Sequence, residues 1–399
     1  GYVGLAADGK YRESLALIRE TLPFPGVIGR ICTRPCEPAC NRGLADEPVA
    51  ICALKRFVAD WELGQPRGVG ATMHSAPKPP STGKRVAVIG SGPAGLTCAY
   101  ELVRLGHDVT VFEALPAAGG MLRVGIPEYR LPRNILDGEI AALEKAGVKI
   151  RTNMALGKDF TVAGLLREGY AAVFMAIGAH KGQKLGVPGE DGRGVIHGVE
   201  FLRDLNLGRK PQLGENVVVV GGGNVAIDSA RSALRLGAGK VTVVYRRTRA
   251  EMPAHELEIR AALAEGVDII YLAAPVEVLL AGGKVRGLRC VRIELGAPDR
   301  SGRRAPAPVP GTEFGIEADM VIPAIGQTVD MGTVEKEGEV KTTGGKLAAD
   351  PVTLANGPEG IFAGGDAVSG PRSAIEAIAA GRQAAQSIEE YLRGIAAKK

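Results

Sequence analysis

The chain has 399 residues, 45% hydrophobic and 23% charged, proportions that build packed cores and exclude global disorder. At about 150 residues per domain, that length fits two to three domains. The 49 basic and 44 acidic residues leave a net charge of +5, too mild and scattered for a nucleic-acid surface, and 4% aromatics provide no stacking platform. No run of 18 or more apolar residues forms a membrane span, and the start lacks the basic and apolar stretches of a secretory signal, so a cytoplasmic chain is expected. It opens on Gly1 rather than methionine, which points to residues upstream.

The first 64 residues read as helical. Tyr11, Leu15, Ile18 and Leu22 recur at helical spacing, as do Ile51, Leu54, Phe57, Val58 and Trp61. Between them, Pro23 to Pro48 is too rich in proline, glycine and cysteine to be one helix. Four of the six cysteines, Cys32, Cys36, Cys40 and Cys52, fall in this region. Without a secretory signal a disulfide framework is improbable, and metal or redox chemistry fits the clustering better. A linker rich in Pro and Gly follows over residues 65–84.

Beyond Lys84 the pattern turns to β-α-β, twice. Val86 to Ile89 is a strand, followed by Gly90-Ser91-Gly92-Pro93-Ala94-Gly95, a helix, and a strand from Val109 to Phe112 ending at Glu113. G-x-G-x-x-G between strand and helix lets the backbone approach a pyrophosphate, which the helix N-terminus attracts, and the acid accepts from a ribose. The arrangement returns at Val217 to Val220, Gly221-Gly222-Gly223-Asn224-Val225-Ala226, a helix, and Val241 to Tyr245. Here Arg246 and Arg247 replace the acid. Arginine pairs with a 2′-phosphate and leans the choice towards NADP, against the alternative of a solvated surface pair.

Two such folds in series suggest one retained flavin and one exchangeable nicotinamide. Ile361 to Ala363, then Gly364-Gly365-Asp366 and a helix from Ser373, complete the first fold, so the flavin domain is discontinuous. The expected fold class is α/β, with two Rossmann-like dinucleotide-binding domains (FAD and NAD(P)) preceded by a small α-helical, cysteine-containing domain. The expected bounds are 1–64 for the helices, 85–190 with 326–399 for FAD, and 191–325 for the inserted NAD(P) domain.

The motifs RICTRPCEPACNRG, LKRFVADW, VAVIGSGPAGL, GGMLRVGIPEYRLP, VVVVGGGNVAIDSAR, VVYRRTRAEMPA and GGDAVSGPRSAIEAIAAGR resemble the glutamate synthase small subunit and its relatives. Those relatives include the N-terminal half of dihydropyrimidine dehydrogenase and, more distantly, adrenodoxin reductase. The resemblance covers nearly the whole chain. It implies that Gly90, Gly92, Pro93, Ala94, Gly95 and Glu113 hold the FAD adenosine half, and that Gly120, Met121, Arg123 and Ile126 lie along the isoalloxazine. Gly365, Asp366, Ser373 and Ala374 would hold the rest of the flavin, while Gly178 and Gly326 stand in the domain-junction loops. Gly221, Gly223, Asn224, Val225 and Ala226 would receive NAD(P)H, with Arg246 and Arg247 near its ribose.

In the same family the helical domain holds iron–sulfur clusters. Cys32, Cys36 and Cys40 match one cysteine group, but Ile28 stands where many members carry a further cysteine. A [4Fe-4S] cluster normally takes four thiolates. Cys52 serves equally as a fourth ligand or as a core residue, and free thiols or a site shared with a partner are the other readings. The expected function is a diaphorase-type subunit that exchanges hydride between NAD(P)(H) and FAD and passes single electrons to or from Fe–S centres of a larger redox complex. That chemistry needs no catalytic side chain, and the histidines at 74, 107, 180, 197 and 255 show no metal spacing. A disulfide reductase is disfavoured because Cys98 and Cys290 form no vicinal pair. A docking subunit that keeps FAD for structure would have no need of the second glycine loop, and a stand-alone flavin monooxygenase would differ by consuming oxygen in step with nucleotide oxidation and releasing a hydroxylated product.

Overall fold

The computed structural model describes residues 1–66, 68, 79–299, 302–335 and 337–394; most of the expected linker, His74 and the terminal Lys398-Lys399 lie outside them. Four helices come first: α1 (Tyr2–Ala7), α2 (Tyr11–Arg19), α3 (Pro25–Ile31) and α4 (Ile51–Leu63). Leu15 and Ile18 bury one face of α2, and the Tyr11 ring meets Phe57 and Trp61 edge-on at 5.1 and 5.8 Å. A buried Arg19–Glu62 ion pair at 2.7 Å joins α2 to α4. Gly29 admits the close crossing of α3 and α4, since a Cβ there would lie 2.8 Å from the Arg56 Cα.

The chain then runs through β1 (Arg85–Ile89), α5 (Pro93–Arg104), β2 (Asp108–Phe112), α6 (Arg133–Ala146), β3 (Lys149–Arg151) and β4 (Ala172–Met175). Next come β5 (Asn216–Val220), α7 (Asn224–Arg235), β6 (Lys240–Tyr245) and β7 (Asp268–Tyr271). An antiparallel ribbon follows, β8 (Ala273–Ala281), β9 (Lys284–Pro298), β10 (Arg304–Pro308) and β11 (Phe314–Glu317), and then β12 (Met320–Pro323). The chain closes with β13 (Ile361–Ala363) and α8 (Ala374–Leu392).

Two compact units result: residues 1–123, 128–179 and 329–399, and residues 124–127 with 180–328. The first holds a parallel sheet in the order β13-β4-β1-β2-β3. The second holds a parallel sheet in the order β12-β5-β6-β7 beside the ribbon. The apolar runs Val86–Ile89 and Val217–Val220 are buried, as central parallel strands covered on both faces require.

The helices fold into the first unit instead of standing apart, for a specific reason. Glu139 on α6 is buried and accepts hydrogen bonds from the Gly26 and Val27 N–H groups at 2.7 and 3.0 Å. Those are free donors of the first turn of α3. The inserted unit likewise begins at residue 180, ahead of the expected 191, because Lys181–Gly182 pairs with Gln327–Thr328.

Candidate dinucleotide sites and cysteine cluster

The first glycine loop is a set of close approaches with one opening. Gly90 has φ 104, and a Cβ there would sit 2.4 Å from the Ala176 carbonyl oxygen. This is the end of β1 beside β4, where the strand order reverses and a crevice opens. Gly95, on α5, passes directly over Gly90: a Cβ would lie 2.0 Å from the Gly90 oxygen. Gly92 differs. It caps α5 with φ −70 and ψ 179, values open to any residue, and a Cβ would meet nothing within 4 Å. Pro93 and Ala94 open the helix behind it.

Glu113 is buried at the loop's rim. Its Oε2 accepts from the Ser91 N–H and hydroxyl, and its Oε1 from the Leu115 N–H at 2.8 Å. Gly120 lies against Gly92, where a Cβ would come 2.6 Å from the Gly92 Cα. Met121 and Arg123 follow in the turn Met121–Val124, where Arg123 donates to the Ala118 oxygen and pairs with Asp137. Gly365 approaches the same helix start, since its Cβ would lie 3.0 Å from the Ala94 Cβ. Burial pushes the neighbouring Asp366 carboxyl up to about 6, although the Arg372 N–H donates to it. Ser373 caps α8 reciprocally with Glu376, which leaves Ala374 at the first helical position. Thus Gly90, Gly92, Gly95, Glu113, Gly120, Gly365 and Asp366 gather around one helix N-terminus. Gly178, with φ 70, follows β4 in the same unit, whereas Ile126 belongs to the second unit.

The second loop repeats the pattern. A Cβ on Gly221 (φ 145) would lie 2.4 Å from the Ala324 oxygen. Gly223 caps α7 with φ −91 and ψ 178, and only Pro253 Cγ, at 3.9 Å, lies near its Cβ position. Asn224 opens α7 and accepts from the His255 N–H at 3.3 Å; Val225 follows, and Ala226 is fully buried. Gly326, with φ 145, accepts from the Gln183 N–H. Gly222 was not singled out by motif reasoning, yet a Cβ there would strike the Tyr245 ring at 2.4 Å.

The two arginines part ways. Arg246 is exposed at the end of β6. Arg247 turns inward and is buried, donating to the Arg304 oxygen at 2.7 Å and pairing with Asp299 at 2.6 Å. Of the two arginines expected beside a ribose, Arg246 faces solvent and Arg247 is held by Asp299.

Among the cysteines, Cys32 and Cys52 share a thiol hydrogen bond that pulls Cys32 down to about 6 and pushes Cys52 up. The Cys52 Sγ also lies 3.4 and 3.7 Å from the Gly29 and Ile28 oxygens. Cys36 is exposed, and Cys40 is lowered by hydrogen bonds from backbone groups of Val49, Arg42 and Gly43. Among the described residues no three His, Cys, Asp or Glu side chains converge as a metal site. As folded here, the thiols are short of a four-ligand cradle. Cys98 and Cys290 are buried, with burial raising both thiols, Cys290 to about 12.

The profile of the pyridine nucleotide-disulphide oxidoreductases matches residues 84–381. The chain belongs to that family. The glutamate synthase [NADPH] small chain of Halomonas elongata is 36% identical, over 98% of this chain and 85% of its own length. The resemblance read from the motifs therefore holds. The NADP(+)-dependent formate dehydrogenase subunit beta of Moorella thermoacetica is 52% identical over 98% of this chain but 58% of its own length, so the chain spans less than two thirds of that relative. Mycobacterium tuberculosis FprA in complex with NADPH superposes with a TM-score of 0.66 and 22% identity, over 78% of this chain and 85% of that one, a likeness of fold. Residues 1–66 match the profile of dihydropyrimidine dehydrogenase domain II, a 4Fe-4S cluster domain. The chain has an α/β fold, with two dinucleotide-binding folds behind a small cysteine-bearing region, the build of an oxidoreductase of this family. The formate dehydrogenase and glutamate synthase relatives are named as a beta subunit and a small chain. No helix among the described residues is long and apolar enough to cross a membrane.

Proposed function

We propose that this chain is the diaphorase subunit of a cytoplasmic redox complex, exchanging a hydride between NADP(H) and FAD and serving Fe–S and catalytic partner subunits. One observation carries the cofactor sites: Gly92 and Gly223 are glycine although nothing in the protein crowds them. Their backbone angles suit any residue, so the space beside each is kept for a group that backs onto the loop. A pyrophosphate fits that space, facing a helix N-terminus.

Bound FAD supplies what no side chain here supplies, hydride exchange at N5 and release of electrons one at a time. The chain's own part is to bind and orient. Gly90 and Gly95 bring strand and helix together so that α5 aims at the phosphates, and Glu113 is the carboxylate for the adenosine ribose. Gly120, Met121, Arg123 and Ile126 are assigned to the flavin ring side, with Gly178, Gly365, Asp366, Ser373 and Ala374 along the remainder. Gly221 to Ala226, with Gly326, take the nicotinamide dinucleotide, and Arg246 reads its 2′-phosphate.

Cys32, Cys36 and Cys40 are assigned as cluster thiolates on the resemblance of residues 1–66 to a 4Fe-4S domain. Since the thiols do not converge as folded here, Cys52, beside Cys32, would complete the set only after they draw together. Iron and sulfide analysis of the chain tests that set: iron retained by the wild type and lost in Cys52→Ser supports it, and a flavoprotein without iron removes it. The main test is an anaerobic titration with NADPH and, separately, NADH. Flavin bleaching at low NADPH supports the proposal; a flavoprotein bleached by neither nucleotide would favour a docking subunit that keeps FAD for structure.

A further inference from the structure

Resting on the reading of Arg246 as the phosphate-reading residue, we infer that Asp299 and Arg304, at the paired ends of β9 and β10, form a positioning arm for nucleotide choice. The segment after β6 has three further charged side chains that could compete for a phosphate or displace Arg246, and each is tied down. Arg249 pairs with Glu256 at 2.6 Å. Glu251 is held by Arg304 at 2.6 Å and by the Thr248 N–H at 3.1 Å. Arg247 is only 3% exposed and is held by Asp299 and the Arg304 carbonyl. Two of these three ties come from the ribbon. Arg246 is left exposed and, among the described residues, forms no ion pair.

The same ties reach the second glycine loop. The Tyr245 ring lies where a Gly222 side chain would be, and its hydroxyl donates to the Glu251 carbonyl oxygen at 2.7 Å. The Arg304 grip on Glu251 therefore fixes the turn that carries both Tyr245 and Arg246. Asp299 fixes it from the other side by neutralising a buried guanidinium. Without Asp299 that cation is buried and unpaired, a costly state that it leaves by moving to water and pulling the turn with it.

The test uses the FAD-loaded chain and steady-state reduction of ferricyanide with NADPH or NADH. Asp299→Ala is expected to raise KM for NADPH about tenfold, equivalent to about 1.4 kcal/mol, with KM for NADH changed less than about twofold. Arg304→Ala is expected to act in the same direction. Equal changes for both nucleotides, or tighter NADPH binding through a released Arg247, would overturn the inference. If Asp299→Ala fails to retain flavin, Asp299→Asn, which keeps size and one acceptor, carries the same comparison. Arg246→Ala separates the two layers. If it leaves the NADPH preference intact, the reading of Arg246 fails; if it abolishes the preference while Asp299 variants keep it, only the positioning arm fails.

Discussion

Gly92 and Glu139 make opposite cases at the scale of single residues. Gly92 is free of steric demand from the protein, so Gly92→Val should be purified without flavin yet melt as the flavin-stripped wild type does. Normal flavin content in that variant would overturn the first-loop assignment. Glu139 is wholly engaged by the protein, and its burial outweighs two donated N–H groups, raising the carboxyl from 4.5 to about 7. A raised carboxyl means that the folded state favours the proton. Stability from this group is therefore greatest below pH 4.5 and falls as pH rises through about 7, by at most about 3 kcal/mol. Arg19 and Glu62 also face it, with opposed effects. Glu139→Gln should flatten this part of the slope, which melting curves of both proteins across that range would show; parallel curves would refute it. The glycine loops and their acid were legible from spacing alone. The Arg247–Asp299 pair was not, because it joins residues 52 apart in sequence and no local pattern encodes such a pairing.

At the scale of elements, the strands and helices flanking both loops were readable, since short apolar runs and helical periodicity set their type. The structure adds one residue at the start of each strand, as with Arg85–Ile89 and Asn216–Val220. The packing of α8 on α5 was less legible. It turns on Gly381, where a Cβ would lie 2.2 Å from the Ala94 oxygen. In an open helix, glycine to alanine gains up to about 1 kcal/mol. Here the clash dominates, and Gly381→Ala should cost about 2 kcal/mol in urea unfolding. Because Ala94 stands in the first turn of α5, which is proposed to face the flavin phosphates, flavin retention should weaken as well. A stabilised variant would show that the helices do not approach so closely. The ribbon's role escaped sequence reading for a related reason. Its alternation marks β9 as a strand, but nothing in it tells that Asp299 and Arg304 reach the turn after β6.

Across the whole molecule, one device is used twice. Each parallel sheet has a glycine pressed against the carbonyl of a neighbouring strand end, Gly90 on Ala176 and Gly221 on Ala324. Each then has a second glycine with open space beside it, Gly92 and Gly223. The repetition makes the two sites separable by mutation, because each open glycine serves its own loop. Gly223→Val should keep FAD and melt as the wild type does, since only Pro253 Cγ lies within 4 Å of the added side chain. Its flavin should still bleach with dithionite, which needs no nucleotide site, but no longer with NADPH. Ferricyanide reduction by NADPH should fall by at least about a hundredfold, the scale expected when a reactant loses its positioning. A Gly223→Val protein that NADPH still reduced at the wild-type rate would mean that the hydride arrives from another site, and the division of labour between the two loops would have to be abandoned.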